Sequence, residues 1–114
     1  MPVVQINPGE TAMISVGIKT EFTPGHVALI HARSGLSTKK GLAPANKVGV
    51  IDADYRGEWF VALHNHSNHI QVIEDGERIA QVLFQEIEHP EFEEVEDLSE
   101  TERGTGGFGS TGTK

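Results

Sequence analysis

The chain has 114 residues, with 9 Lys+Arg against 17 Asp+Glu and a formal net charge of −8. That length fits one domain with a modest core, and the acidic balance argues against a duplex-binding protein, which needs a basic face. There is no cysteine, which removes a disulfide framework and a thiolate zinc site.

Taken in chain order, the apolar rhythm is that of strands. Short runs rich in β-branched and aromatic residues span 3–6, 12–18, 27–32, 48–51, 59–64, 70–73 and 79–87, with a further strand expected at 92–95. Turn chemistry separates them: Asn7-Pro8-Gly9, Thr23-Pro24-Gly25, Asp54-Tyr55-Arg56-Gly57, His66-Ser67-Asn68 and Glu74-Asp75-Gly76. The single helical candidate is 34–40. Many short strands at near-regular spacing predict an all-β sandwich, jelly roll or barrel. No apolar run approaches the roughly 20 residues of a membrane span. Met1-Pro2-Val3-Val4-Gln5 has no signal-peptide pattern. A cytoplasmic protein with no membrane or nucleic-acid partner is expected.

The charge is uneven. Residues 91–102 hold seven of the 17 acidic groups and no basic one, so the rest of the chain is nearly neutral. Such a run reads as a solvated connector. Residues 103–114, RGTGGFGSTGTK, hold five of the 13 glycines and bury almost nothing alone. The expected division is a jelly-roll domain over 1–102 and a flexible arm over 103–114. The arm is a plain tail or a segment that orders on a ligand, and composition favours the tail.

Five constellations could carry chemistry. Arg33-Ser34-Gly35-Leu36 ends a strand with a cation, a hydroxyl and a glycine, either an anion nest or an ordinary turn. Gly49-Val50-Ile51-Asp52-Ala53-Asp54-Tyr55-Arg56-Gly57 puts two carboxylates two residues apart. One could take a proton from water, both could cap the turn, and a Ca²⁺ loop fails for want of the remaining ligands. His64, His66 and His69 read as a polar hairpin loop, since no third zinc ligand is evident. Gly76-Glu77-Arg78-Ile79-Ala80-Gln81 supplies an Arg and a Gln at a strand start. The C-terminal Arg103, Phe108, Gly109 and Ser110 could close over a phosphorylated ligand, with Phe108 stacking on a base, although the P-loop ending is missing.

In this order the pieces Arg33-Ser34-Gly35-Leu36, Asn46 with GVIDADYRG, GERIAQ and RGTGGFGSTG resemble the trimeric dUTPase family over about residues 3–112. The resemblance implies a jelly-roll homotrimer that hydrolyses dUTP to dUMP and pyrophosphate with Mg²⁺, bound mainly through the triphosphate. It implies that Arg33, Ser34 and Gly35 bind phosphate. Asn46 and the Gly49-Val50-Ile51 backbone would read the uracil edge. Asp52 would hold the attacking water and the ribose 3′-hydroxyl, and Tyr55 would exclude a 2′-hydroxyl. Gln81 would sit near the α-phosphate. Phe108 would cover the base, with Arg103, Gly109 and Ser110 around it and the terminal phosphates. Arg78 is left open between a structural ion pair and a phosphate contact.

The family's Ala-Gly-x-Asp-Leu run, which precedes the stretch matching 4–18, does not occur in these residues. The resemblance then implies that one or two strands and an Asp that orders water about the metal are not supplied here. A rival function is a nucleotide-binding or regulatory protein with weakened catalysis. A related nucleotide deaminase is disfavoured, because Asn46, Tyr55 and Phe108 follow the dUTPase pattern.

Overall fold

Apolar runs become strands where a neighbour completes their backbone ladder. In the computed structural model, which describes residues 3–109, eight segments meet that condition. They are β1 (Val4–Ile6), β2 (Thr11–Ser15), β3 (His26–His31), β4 (Leu42–Pro44), β5 (Gly49–Asp52), β6 (Phe60–Asn65), β7 (Gln71–Ile73) and β8 (Gln81–Glu86), with the helix α1 (Ser34–Lys40) between β3 and β4. All pairings are antiparallel, in the orders β1-β7, β2-β6-β4 and β5-β3-β8. The result is an all-β jelly roll.

Three expectations about elements are corrected. Residues 92–95 form no strand, because no described segment lies beside them. β2 ends at Ser15 rather than running to Ile18, although Val16 N–H still donates to Trp59 C=O at 3.1 Å and Trp59 N–H to Ile18 C=O at 3.0 Å. The three-residue β4 was not expected. It ends in proline, which cannot donate to a ladder and is tolerated at a strand end.

The core draws one face of each strand together. Ile6, Ile14, Ala28, Leu42, Leu63 and Ile73 are all within 2% of complete burial. Each large side chain among them contributes roughly 1.5–3 kcal/mol by leaving water. Trp59 is buried beside them, and its indole N–H reaches Thr20 Oγ1 at 3.1 Å.

One polar side chain lies inside this core. Asn65, at the end of β6, is completely buried. Its Nδ2 donates to Ile6 C=O at 2.9 Å and to His69 C=O at 2.7 Å. Its Oδ1 accepts from Ser67 N–H at 2.9 Å and Ser67 Oγ at 2.7 Å. Its backbone closes on the 7–10 turn, with Gly9 N–H donating to Asn65 C=O and Asn65 N–H to Glu10 C=O. A buried amide is tolerated only when satisfied in this way.

The other end of the chain leaves the body. Ile87 N–H donates to Gly25 C=O at 2.8 Å, and residues 88–105 are exposed throughout. The radius of gyration is 19.3 Å, against about 13 Å for a compact chain near this length. Phe92, Leu98 and Phe108 are almost wholly exposed on this extension.

The Asn65 network yields a stability prediction. Asn65→Ala takes the amide away from the Ile6 carbonyl and the Ser67 N–H, and leaves the His69 carbonyl only Ser67 Oγ, at about 1–3 kcal/mol for each buried group that loses its partner. The melting temperature, followed by circular dichroism, should fall by at least about 10 °C. A shift of only a degree or two would show that Asn65 is not the anchor.

Candidate active site

The first group of site residues sits on and beside β5. Asn46 lies in the exposed 45–48 turn, where Val48 N–H donates to Asn46 C=O at 2.8 Å. Gly49 is buried, and a Cβ there would come within 3.3 Å of Ile30 and 3.4 Å of Asn46 Nδ2. The glycine thus lets the Asn46 amide lie against the strand. Among the described residues β5 pairs only with β3, so its second edge presents backbone groups with no ladder partner there. Val50 and Ile51 lie on that edge strand, and Val50 is 61% exposed.

Asp52 ends β5 with an exposed carboxylate, and the chain turns at once, with Tyr55 N–H donating to Asp52 C=O at 3.1 Å. Arg56 braces the tip by donating to Ala53 C=O at 2.6 Å. The Tyr55 hydroxyl donates to Glu58 C=O at 2.9 Å, and Glu58 in turn accepts a short hydrogen bond from Ser15 Oγ. Any Cβ at Gly57 would overlap the Tyr55 ring. The ring therefore has a fixed seat, and its hydroxyl is already used.

The second group gathers at the start of α1. Arg33 is the helix N-cap residue and makes no side-chain cap. Arg33 C=O accepts Ser37 N–H at 2.9 Å, so the preceding amides of Ser34, Gly35 and Leu36 precede the first helical bond. Gln81, first residue of β8, donates from Nε2 to Ala32 C=O at 2.8 Å. That bond holds Gln81 beside Arg33. Glu77 ties the loop before β8 to the end of α1. Its Oε1 accepts Lys40 Nζ at 3.2 Å, and its Oε2 accepts Glu74 N–H at 3.0 Å. The Glu74 amide above all holds the Glu77 carboxyl below the usual glutamate range; burial opposes it, and the hydrogen bond and charge of Lys40 add to the lowering.

The two groups are not brought together within one chain. Asp52 pairs with Val27 at one end of β3, and Gln81 pairs with His31 at the other. Four residues of strand are about 13 Å, and two ladder spacings add nearly 10 Å across, a separation of roughly 16 Å. A general base must come within about 3 Å of the proton it takes. The arm residues join neither group. Arg103 Nε donates to Gly106 C=O at 2.6 Å within the arm itself, Phe108 is fully exposed with Gly109 beside it, and Ser110 lies outside the described residues.

Arg56, Glu58, Glu77 and Asn65 were not singled out by sequence reasoning. Each acts through a contact invisible in local pattern, although the Tyr-Arg-Gly and Gly-Glu-Arg runs flagged two of the loops. His64 lies within β6 rather than in the expected polar loop, paired with Thr11, with its Nδ1 2.8 Å from Thr11 Oγ1. Among the described residues no group of three or more His, Cys, Asp or Glu could hold a metal ion.

With this geometry in hand, comparison with known proteins is decisive. Residues 3–112 match the sequence model of the dUTPase family. The chain belongs to the dUTPase family. The deoxyuridine 5'-triphosphate nucleotidohydrolase of Corynebacterium diphtheriae is 52% identical over 110 residues, covering 96% of this chain and 72% of the relative. A mutant dUTPase of Staphylococcus bacteriophage 80alpha, solved with dUpNHpp, superposes with a TM-score of 0.88 at 31% identity, over 98% of this chain and 82% of that one. A mutant dUTPase from phage phi11 of S. aureus, described with a structural Mg(II) ion, gives a TM-score of 0.75 at 25% identity, over 84% of this chain and 78% of that one.

The Glu77 clasp gives this dUTPase a defined acid sensitivity. A carboxyl whose folded pKa is depressed stabilises the fold above its ordinary value near 4.5. That contribution is lost as pH falls through the lowered value. In Glu77→Gln, stability at neutral pH should drop slightly, and the difference from wild type should shrink as pH falls below the ordinary glutamate range and through the lowered value. Urea midpoints measured across pH check this, and a difference independent of pH would refute it.

Proposed function

We propose that this chain is a dUTP diphosphatase, hydrolysing dUTP to dUMP and pyrophosphate in sites shared between subunits of a homotrimer. The observation that carries the shared site is the roughly 16 Å between Asp52 and Gln81 along and across β3. One copy supplies the β5 hairpin, a second supplies the α1 start with Gln81, and the exposed arm comes from a third. The apolar side chains that one chain leaves in water support association: Leu83 and Phe84 on β8 are each 55% exposed, and Met13 is 67% exposed.

In this reading uracil lies against the free edge of β5, with its polar edge met by Asn46 and by the Gly49, Val50 and Ile51 backbone. Deoxyribose packs on the Tyr55 ring. That ring selects by shape, because its hydroxyl already serves Glu58 and leaves no room for a 2′-oxygen. Arg33, the Ser34 and Gly35 amides and Gln81 hold the phosphates. Phe108 covers the base, and Arg103, Gly109 and Ser110 close with it on the outer end.

Asp52 holds a water in line with the α-phosphorus and takes its proton as attack proceeds. An oxygen–phosphorus bond forms at the α-phosphorus, and the bond from that phosphorus to the α–β bridging oxygen breaks. The bridging oxygen leaves on pyrophosphate. Arg33 and the amides meet the developing charge, where positioned donors act most strongly. Mg²⁺ would be held mainly by the triphosphate itself and would supply charge neutralisation beside Arg33. A cytoplasmic location, where nucleotides are handled, completes the reading.

Two inactive variants test the sharing of the site. Asp52→Asn keeps shape but loses the proton acceptor, so turnover should fall at least about 1000-fold while dUTP binding persists. Arg33→Ala should lose turnover through the other group. Co-assembled at equal amounts, random trimers of the two should regain about a quarter of wild-type activity, because each mixed ring contains one intact site. Absence of any recovery from co-assembled trimers would overturn the shared site. Full activity in Asp52→Asn alone would overturn the role of Asp52.

A further inference from the structure

Glu58 and Ser15 lie outside every substrate contact named above, yet both bear on the Tyr55 ring. Among the described residues, the hydrogen bonds of Tyr55 and Arg56 stay within residues 52–58. The tip of the hairpin braces itself, and its outgoing limb is first tied to another element at Glu58.

The short segment 15–18 holds Glu58 at two points. The Glu58 carboxylate accepts a short hydrogen bond from Ser15 Oγ, across 43 positions of sequence. The peptide joining Glu58 to Trp59 is held as a unit. Its N–H donates to Ile18 C=O at 3.0 Å, and its C=O accepts the Tyr55 hydroxyl at 2.9 Å. A peptide is planar, so fixing its N–H helps to aim its C=O. Ser15 is itself set. Its Oγ accepts Gly17 N–H at 3.3 Å, which leaves its O–H to donate to Glu58. Gly17 has a φ of 73°, in the left-handed region that glycine enters without strain.

The bond also crosses between sheets. Ser15 ends β2, in the sheet β2-β6-β4, whereas the hairpin leaves β5, in the sheet β5-β3-β8. Selection by shape needs a ring that does not yield, because a ring free to lean away admits the group it should reject. Tyr55 is 42% exposed, so burial alone does not hold it. Its hydroxyl bond and the space left at Gly57 do.

We propose that Ser15 and Glu58 are positioning residues for Tyr55 and set how strictly the site rejects a ribonucleotide. This rests on the nucleotide reading of Tyr55 above. Neither residue touches substrate. The Ser15 hydroxyl anchors the Glu58 side chain, Ile18 anchors the peptide after it, and the Tyr55 hydroxyl hangs from the carbonyl fixed between them.

The test uses the full chain, with calorimetric titration of dUMP and UMP beside steady-state rates on dUTP and UTP. Ser15→Ala and Glu58→Ala should each lower the preference for dUMP over UMP about fivefold, the scale of one hydrogen bond to a charged group at a partly exposed site. The kcat on dUTP should stay within about twofold, because Asp52 and Arg33 are untouched. Ser15→Thr keeps the hydroxyl and should keep the preference. The double variant should be no worse than either single one, since both remove the same bond. Equal weakening of dUMP and UMP would mean a merely structural role, and an unchanged preference would mean no role; either overturns the proposal, as do losses that add in the double variant. If Glu58→Ala fails to fold, Ser15→Ala with its Thr control decides alone. Titration needs no turnover. A preference that falls in Ser15→Ala, in a protein whose wild type leaves dUTP intact, would defeat the hydrolase reading while the positioning role stands. A wild type that hydrolyses dUTP with a preference Ser15→Ala does not move, or with no preference at all, defeats the positioning role alone.

Discussion

Strand β3 is the constraint on which the rest depends. It is the only strand of its sheet with neighbours on both sides, β5 along one edge and β8 along the other. Its six residues fix the register of both. Because the ladders are antiparallel and β3 is buried at Val27, Ala28 and Ile30, neither neighbour can slip by one residue without turning its apolar face outward. The places of Asp52 and Gln81 are therefore set by the same hydrophobic register that builds the core. Chemistry and stability share one determinant here.

Much of this was legible in the residues. Runs of Val, Ile and Ala broken by Pro-Gly and Asp-x-Gly turns mark strands because those turns carry their own backbone preferences. The α1 span was legible too, since Ser34 opens it and Gly41 follows it. What failed was pairing. The 92–95 run has the composition of a strand, but strand character is completed by a neighbour, and the described residues offer none. β4 is too short, and ends too abruptly in Pro44, to signal by alternation.

The site was legible as residue types and not as places. Asp52, Tyr55, Arg33 and Gln81 stand out by motif, yet nothing local says that Asp52 and Gln81 occupy opposite ends of β3. That fact is a register, a property of two distant ladders. Supporting residues were hidden for the same reason. Asn65 reaches Ile6 across 59 positions of sequence, and Glu77 reaches Lys40 across 37. Sequence patterns report on neighbours a turn away and are silent about partners brought close by folding.

The extension after Ile87 has a consequence of its own. From there to Phe108 the chain is a tether of 21 residues. A flexible tether of that length spans roughly 25 Å on average, and self-repelling charge lengthens it. Under the proposed function, tethering would convert capture of a distant site into an intramolecular event, at an effective concentration on the order of millimolar. Closure would then no longer depend on how much protein is present. It would depend on ionic strength, because the seven acidic groups in 91–102 repel one another over a screening length of about 10 Å at 0.1 M salt. In dilute salt the leash stiffens and reaches far, and in concentrated salt it slackens and shortens. If the arm closes on a neighbouring site as proposed, this solvated connector would make its reach a function of the surrounding electrolyte.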